Sequence, residues 1–317
     1  MRKAFPFFVL SVLLMGCRYT NKEQQVLETK GVVKDSIYTT PLGMAFSLPA
    51  ASEKAVAQFE AAKEAFEKDP DDVNTSIWYG RRTAYLGKYD EAIRIYSEAL
   101  KKFPEDPRLY RHRAHRYISV RNYDQAIVDL EKAGRLIEGK PDEIEPDGIP
   151  NALNIPVSTL HGNIWYHLGL AYYLKHNYEK AFEAFQKCRQ SGDNDDNLVS
   201  STHWLYMIQR RMANKALADQ QLEPISSNAT IIENDSYYDL CRFYKGLIPI
   251  DSLQTVESGN PTSDAILYGL ANWHFYNGEE ERAKEMMNTL VEGKAWSSFG
   301  YLAAESDLIK YFGQGPK

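Results

Sequence analysis

The sequence predicts an all-α fold, a solenoid of stacked helical hairpins, and three observations carry that prediction. Apolar residues recur with a 3.6-residue period from about Ser52 onward. A short pattern ending in alanine returns 34 residues later, from Ala92 to Ala126. Small residues hold the same few places in each copy, as two antiparallel helices need where their axes cross. The 317 residues are 44% apolar and 25% charged, the balance of a globular protein with a sizeable core.

The N-terminus comes first in chain order. Arg2 and Lys3 precede an apolar run from Phe5 to Met15, too short to span a bilayer comfortably. The run ends Leu14-Met15-Gly16-Cys17. This resembles a bacterial lipobox, and it implies that residues 1–17 are a lipoprotein signal peptide with Cys17 as the lipidated residue. The protein is then expected in the bacterial cell envelope, on the periplasmic or cell-surface side, on the outer membrane if the cell has one. It would meet the membrane only through a lipid anchor. Residues 18–51 lack helical periodicity and carry Pro41, Gly43 and Pro49. They read as a tether, with Leu42 to Leu48 docking on the body.

The helical body is expected over 52–317. Ser52 caps a helix to Lys68 with Val56, Phe59, Ala62, Ala65 and Phe66 on one face, and Asp69-Pro70 ends it. Gly87-Lys88-Tyr89-Asp90-Glu91-Ala92 then returns as Arg121-Asn122-Tyr123-Asp124-Gln125-Ala126 and as His176-Asn177-Tyr178-Glu179-Lys180-Ala181. Gly80, Ala114 and Gly169 hold one helix crossing. Ala92, Ala126 and Ala181 hold a second, and Ala99, Ala133 and Cys188 a third. The third copy reads Trp165-x2-Leu168-Gly169-x2-Tyr172, then Ala181-x3-Phe185. Residues 73–190 therefore resemble the tetratricopeptide-repeat family, whose period is 34. The resemblance implies a right-handed superhelical solenoid of about five to six hairpins, stabilised by nearest-neighbour stacking.

Later elements are less regular. Val199 to Leu222 reads as a hairpin with Ala216 or Ala218 at its crossing, its register open. A helix capped by Asp235 or Ser236 runs to Tyr244, and a short one follows at Asp251 to Val256. Ala265 to Val291 is a further hairpin, and Trp296 to Phe312 is expected to cap the solenoid end. Cys188 and Cys241 are expected as free buried thiols, with a disulfide as the alternative.

Residues 139–160 interrupt the repeat. Pro141, Pro146, Pro150 and Pro156 exclude a helix, and Ile149, Leu153, Ile155 and Val157 point to docking on the body. The acids Asp142, Glu143, Glu145 and Asp147 give this insertion a second possible role, folding over a basic groove and neutralising it in cis.

Composition and motifs narrow the chemistry. The formal charge of −6, or −8 once Arg2 and Lys3 leave with the leader, argues against nucleic acid as a partner. Arg111-His112-Arg113-Ala114 is similar to the phosphate-binding start of histidine phosphatases. The repeat register places it inside a helix rather than on a loop after a strand, which removes that reading. His112 and His115 are three apart on a helix, but flanking arginines oppose a cation, so no metal is expected. No cofactor motif is present, and the chain is read as a binder rather than an enzyme.

The family resemblance implies a concave groove lined from repeat places 2, 5, 6 and 9. Here those places supply Arg81, Arg108, Arg111, His112, His115, Asn163, Tyr166 and His167, a set without an acid. The expected partner is a protein or peptide segment, held in part through a carboxylate, with the histidines adding charge near or below pH ~6.5. Two other readings stay open. One is a small anionic or sugar ligand in a groove closed by 139–160; the other is an enzyme using the His/Arg-rich helix.

Overall fold

The computed structural model describes residues 37–48, 51–253 and 259–315. The expectations for the leader and for Cys17 lie outside these residues, as does most of the tether. Thirteen α-helices make up the described body: α1 Glu53–Lys68, α2 Val73–Tyr85, α3 Tyr89–Lys102, α4 Pro107–Ser119, α5 Tyr123–Leu136, α6 Leu160–Leu174, α7 Tyr178–Ser191, α8 Asp195–Arg211, α9 Lys215–Gln221, α10 Asp235–Tyr244, α11 Pro261–Tyr276, α12 Glu280–Val291 and α13 Phe299–Phe312. Five antiparallel hairpins follow from the connections: α2/α3, α4/α5, α6/α7, α8/α9 and α11/α12. The short helix expected after Asp251 is a single 3₁₀ turn, Ile250–Ser252, and the remainder of that expectation lies outside the described residues.

Four of the five hairpins share one packing rule. A small residue on the first helix lies under a large one on the second, 16 residues later: Gly80 under Tyr96, Ala114 under Leu130, Gly169 under Phe185 and Ala271 under Met287. All are buried. A Cβ placed on Gly169 would stand 2.6 Å from the Phe185 ring. That ring cannot yield, because it stacks on Trp204 at 5.5 Å and meets Tyr166 edge-on. Gly169→Leu is therefore expected to destabilise by about 1–3 kcal/mol through overpacking, read as a lowered urea midpoint. An unchanged midpoint would contradict this packing. The open register of the fourth hairpin is settled by Ala218, which is fully buried at the crossing, while Ala216 is exposed.

Each hairpin turns through one residue in the left-handed region: Gly87, Arg121, His176, Ala213 and Gly278. Glycine takes this conformation freely, and a side chain costs on the order of 1 kcal/mol there. At Arg121 and His176 the side chains have other employment, described below.

Four expectations are corrected. Residues 37–48 are not a plain tether: Ile37–Thr39 and Ala45–Ser47 pair as a two-stranded antiparallel hairpin. Its Tyr38 stacks on Trp296 at 4.3 Å, and Leu42, Phe46 and Leu48 pack on the core, so the docking itself is observed. On α1 only Phe59 is buried, and Val56 is 42% exposed, because α1 has a neighbour on one side only. In the 139–160 insertion, Val157 alone of the four named apolar residues is buried, while Ile149 is 76% exposed. The insertion is held by polar contacts instead, beginning with Glu145 N–H to Ser158 O at 3.0 Å and Leu160 N–H to Glu143 O at 2.9 Å.

The fourth correction concerns α13. It packs on α11 and α12 as a next helix would, but it does not simply cap an open end. It also packs on α6, and its side chains reach the inner wall. Arg121 Nε donates to Glu305 at 2.8 Å and Nη2 to Trp296 O at 2.7 Å. Arg211 donates to Asp307, which also accepts from the Tyr268 hydroxyl at 2.9 Å. His176 Nε2 meets the Ser306 hydroxyl at 3.0 Å. The left-handed turn residues Arg121 and His176 thus grip the last helix. Among the described residues Cys188 and Cys241 are both free and buried; burial raises the Cys188 thiol to about 12 and the Cys241 thiol further.

Candidate functional site: the inner wall between α2 and α8

Asp106 caps α4 by accepting from Arg108 N–H, and Pro107 sits in its first turn, where the missing N–H costs nothing. The cap sets the helix start, and the 3.6-residue turn then aims Arg111, His112 and His115 at the concave side. All three are largely removed from solvent, with Arg111 8% and His112 5% exposed. From α6, His167 faces the same side, its ring 4.4 Å from that of His115. Tyr166 accepts from the Trp204 indole at 2.8 Å and shares a 3.0 Å hydrogen bond with Tyr237. From α2, Arg81 is buried against the face of Trp78 at 4.5 Å.

The structure brings seven of the eight expected groove residues to this wall. Arg108 is the exception. Its guanidinium turns back onto its own cap, Asp106, and onto Asn74, so the N-terminal carboxylate captures it before it can face inward.

Two additions close what was expected to be an open groove. Glu145, from the insertion, lies 3.1 Å from Arg111 Nε and 3.8 Å from His112 Nε2, and accepts from Asn163 Nδ2 at 3.2 Å. Beside it, Arg82 donates to Gly148 O at 2.9 Å. The basic wall is therefore answered in cis by Glu145, one of the insertion's four acids and the second of the two roles open to them. Phe299, the first residue of α13, enters from the opposite side. Its ring is 5.7 Å from both His115 and His167.

The histidines are not the proton acceptors expected of them. His112, His115 and His167 are all held well below the ordinary value of 6.5, chiefly by burial and then by neighbouring arginines. For His112 the arginines are Arg111, Arg81 and Arg116. Contrary to the expectation, these histidines are not poised to add charge to the wall near pH 6.5. Arg111 Nη1 donates to His112 Nδ1 at 3.0 Å, consistent with a neutral ring.

What remains open is a cavity of about 400 Å³. Its walls come from Arg111 and His115 on α4, Asn163, Tyr166 and His167 on α6, Asn197 and Ser200 on α8, and Ser158 of the insertion. Glu233, Tyr237, Thr262 and Phe299 are also part of its lining. A second space of about 100 Å³ lies behind Arg111, among Arg81, Tyr96 and Arg116. Larger depressions elsewhere, near Trp165 and near Pro104, contain none of the expected groove residues except Arg108. Among the described residues no group of three or more His, Cys, Asp or Glu is placed to hold a metal ion, and no helix is long and apolar enough to cross a membrane.

Sequence reasoning missed Tyr237, Glu233, Thr262 and Phe299, which lie beyond the regular repeats. No periodic signal pointed to them.

Tetratricopeptide-repeat family models match residues 73–116 and 162–194. No curated protein is similar enough in sequence to count as a relative. Among solved structures, a tetratricopeptide repeat protein from Parabacteroides merdae is 18% identical, with a TM-score of 0.48, over 80% of this chain and 92% of that one. YrrB, described as a TPR protein with an unusual peptide-binding site, is 16% identical with a TM-score of 0.43, over 74% and 92%. The Naa15/Naa10 complex with HypK is 16% identical with a TM-score of 0.37, over 76% and 34%.

Proposed function

Because this chain is a tetratricopeptide-repeat protein, we propose that it is a non-catalytic, exported, lipid-anchored scaffold that binds a partner protein's segment at its inner wall. Such repeats serve protein interaction. One observation supports the finer reading: inner-wall residues of α4, α6 and α8 converge on a single cavity of about 400 Å³. Glu145 and Phe299 fill the wall on either side of it. A short segment or chain end fits such a space; a long helix laid along the wall does not.

Arg111 already meets Glu145, so a partner carboxylate has to displace that side chain or use Arg81 and Arg116. Neither of these has a carboxylate at ion-pair distance among the described residues.

The test is a blocked mouth. Thr262 lies exposed in the first turn of α11 and lines the cavity. Thr262→Trp should leave the melting curve in place and abolish capture of partners crosslinked in cells. Undiminished capture by the folded variant would contradict the reading. The anchor is tested separately: a palmitate analogue should label the wild type and not Cys17→Ser, and equal labelling of both would remove the anchor from the proposal.

A further inference from the structure

Inside this cavity the hydrogen-bonding groups have a definite polarity. His167 Nδ1 stands 2.7 Å from Asn163 O, the carbonyl one helical turn back. A carbonyl oxygen only accepts, so Nδ1 carries the hydrogen. The ring is neutral, since burial and Arg111 hold its pKa well below 6.5. Nε2 is then a bare lone pair. It is buried, has no partner among the described residues, and lies on the ring edge turned away from the helix, in a residue that lines the cavity and is 4% exposed. A ligand reaching it must bring a donor. A carboxylate brings none.

The cavity's charge points the same way. Arg111 is balanced by Glu145, although its Nε–H is too poorly aligned to donate there. Glu233 adds a second carboxyl, whose pKa burial raises. An anion would enter against two carboxyl groups and find the guanidinium already engaged. A cation would face Arg111 at close range. The remaining lining is uncharged: amides, hydroxyls and the apolar Val157, Cys188, Pro261 and Ala265, beside the aromatic faces of Tyr166, Tyr237 and Phe299. A group that donates to His167 Nε2 and offers a C–H face to an aromatic ring is a ring hydroxyl on its carbon.

We infer that the cavity takes an uncharged polyhydroxyl ligand, a neutral sugar ring, with one hydroxyl donating to His167 Nε2. The cavity's volume lies in the range of small-ligand sites. The inference rests on the reading that this cavity is where a partner enters, and it supplies the chemistry of the entering group. The sugar is either free or carried by the partner, and the binding site sees the same hydroxyls in both cases.

The experiment uses the intact chain and saturation-transfer NMR. The probes are neutral hexoses, N-acetylhexosamines and their disaccharides, set against uronic acids and against peptides with free and amidated C-termini. At least one neutral sugar should bind wild type, and its uronic acid should bind at least tenfold more weakly. Thr262→Trp should abolish the transfer signal, and His167→Phe, which removes the acceptor while keeping an aromatic ring, should weaken binding at least tenfold. If His167→Phe fails to fold, the Thr262→Trp comparison still decides. Should the sugar also compete with the crosslinked partner, the partner carries it; should it bind without competing, it is a free ligand. No transfer from any neutral sugar, or transfer only from carboxylate-bearing probes, overturns the inference. If sugars fail while Thr262→Trp still abolishes partner capture, the interaction reading stands without the sugar. If sugars bind and capture is untouched by Thr262→Trp, the sugar stands without that reading.

Discussion

Arg211→Met is expected to lower the stability of this protein by about 3–5 kcal/mol, because it leaves the Asp307 carboxylate buried without its counter-charge. The side chains of Arg211 and Asp307 are 2% and 1% exposed. Arg211 lies over the Phe275 ring at 4.1 Å, so the loss is not confined to charge. Methionine replaces the packing of the arginine stem, which makes the variant a probe of the stranded carboxylate. The double variant Arg211→Met with Asp307→Leu should recover most of the loss, since apolar replacements of a buried pair are often neutral or stabilising. Urea midpoints of wild type, the single and the double variant give the comparison. A single variant no less stable than the double would show that the pair does not hold α13 in place.

A comparable effect is expected from acid. His112, His115 and His167 are held neutral well below 6.5, and His203, stacked between Tyr237 and Tyr244, is lowered to about 3. In the unfolded chain each titrates near 6.5. A folded pKa below the unfolded one means that the stabilisation is complete above pH 6.5 and is lost as pH falls from there toward the folded values. Each histidine contributes a slope approaching about 1.4 kcal/mol per pH unit. The four together approach roughly 5 kcal/mol per unit. Burial raises the carboxyl groups of Asp129 and Asp264, which opposes the loss, but in the lower range where carboxyl groups titrate. Urea midpoints between pH 7.5 and 5 should therefore fall steeply below 6.5, and His203→Phe should remove about a quarter of the slope. A flat profile would mean that these rings are not held neutral.

The hairpins were legible because their determinants are local. Ala92, Ala126, Ala181 and Ala283 each follow a turn by a fixed interval, and the helices they position need no distant information. The inner wall was legible to the same extent, since helical geometry carries Arg111, His112 and His115 inward together. What escaped is what depends on partners far along the chain. Arg121 meets Glu305 across 184 residues and Arg211 meets Asp307 across 96, and no periodicity encodes either pairing. Arg108 was misplaced because the face of a helix gives direction only, and Asp106 two residues away decides where a long side chain ends. The hairpin at 37–47 has strands of three residues each, below the length at which alternation is recognisable.

The closure of α13 onto the wall also has a consequence in time. Tyr89 bonds Ser297 across 208 residues, and Tyr38 waits for Trp296 before it has a surface to lie on. A solenoid held only by adjacent repeats can set each hairpin as soon as the next is made. Here residues 296–312 leave the ribosome after every other described element. At synthesis rates of about 5–20 residues per second, the first hairpin stands for on the order of ten seconds or more with its inner face uncovered. Non-local closure of this kind is intrinsically slow. Until then the unclosed chain is the form that chaperones and proteases would meet.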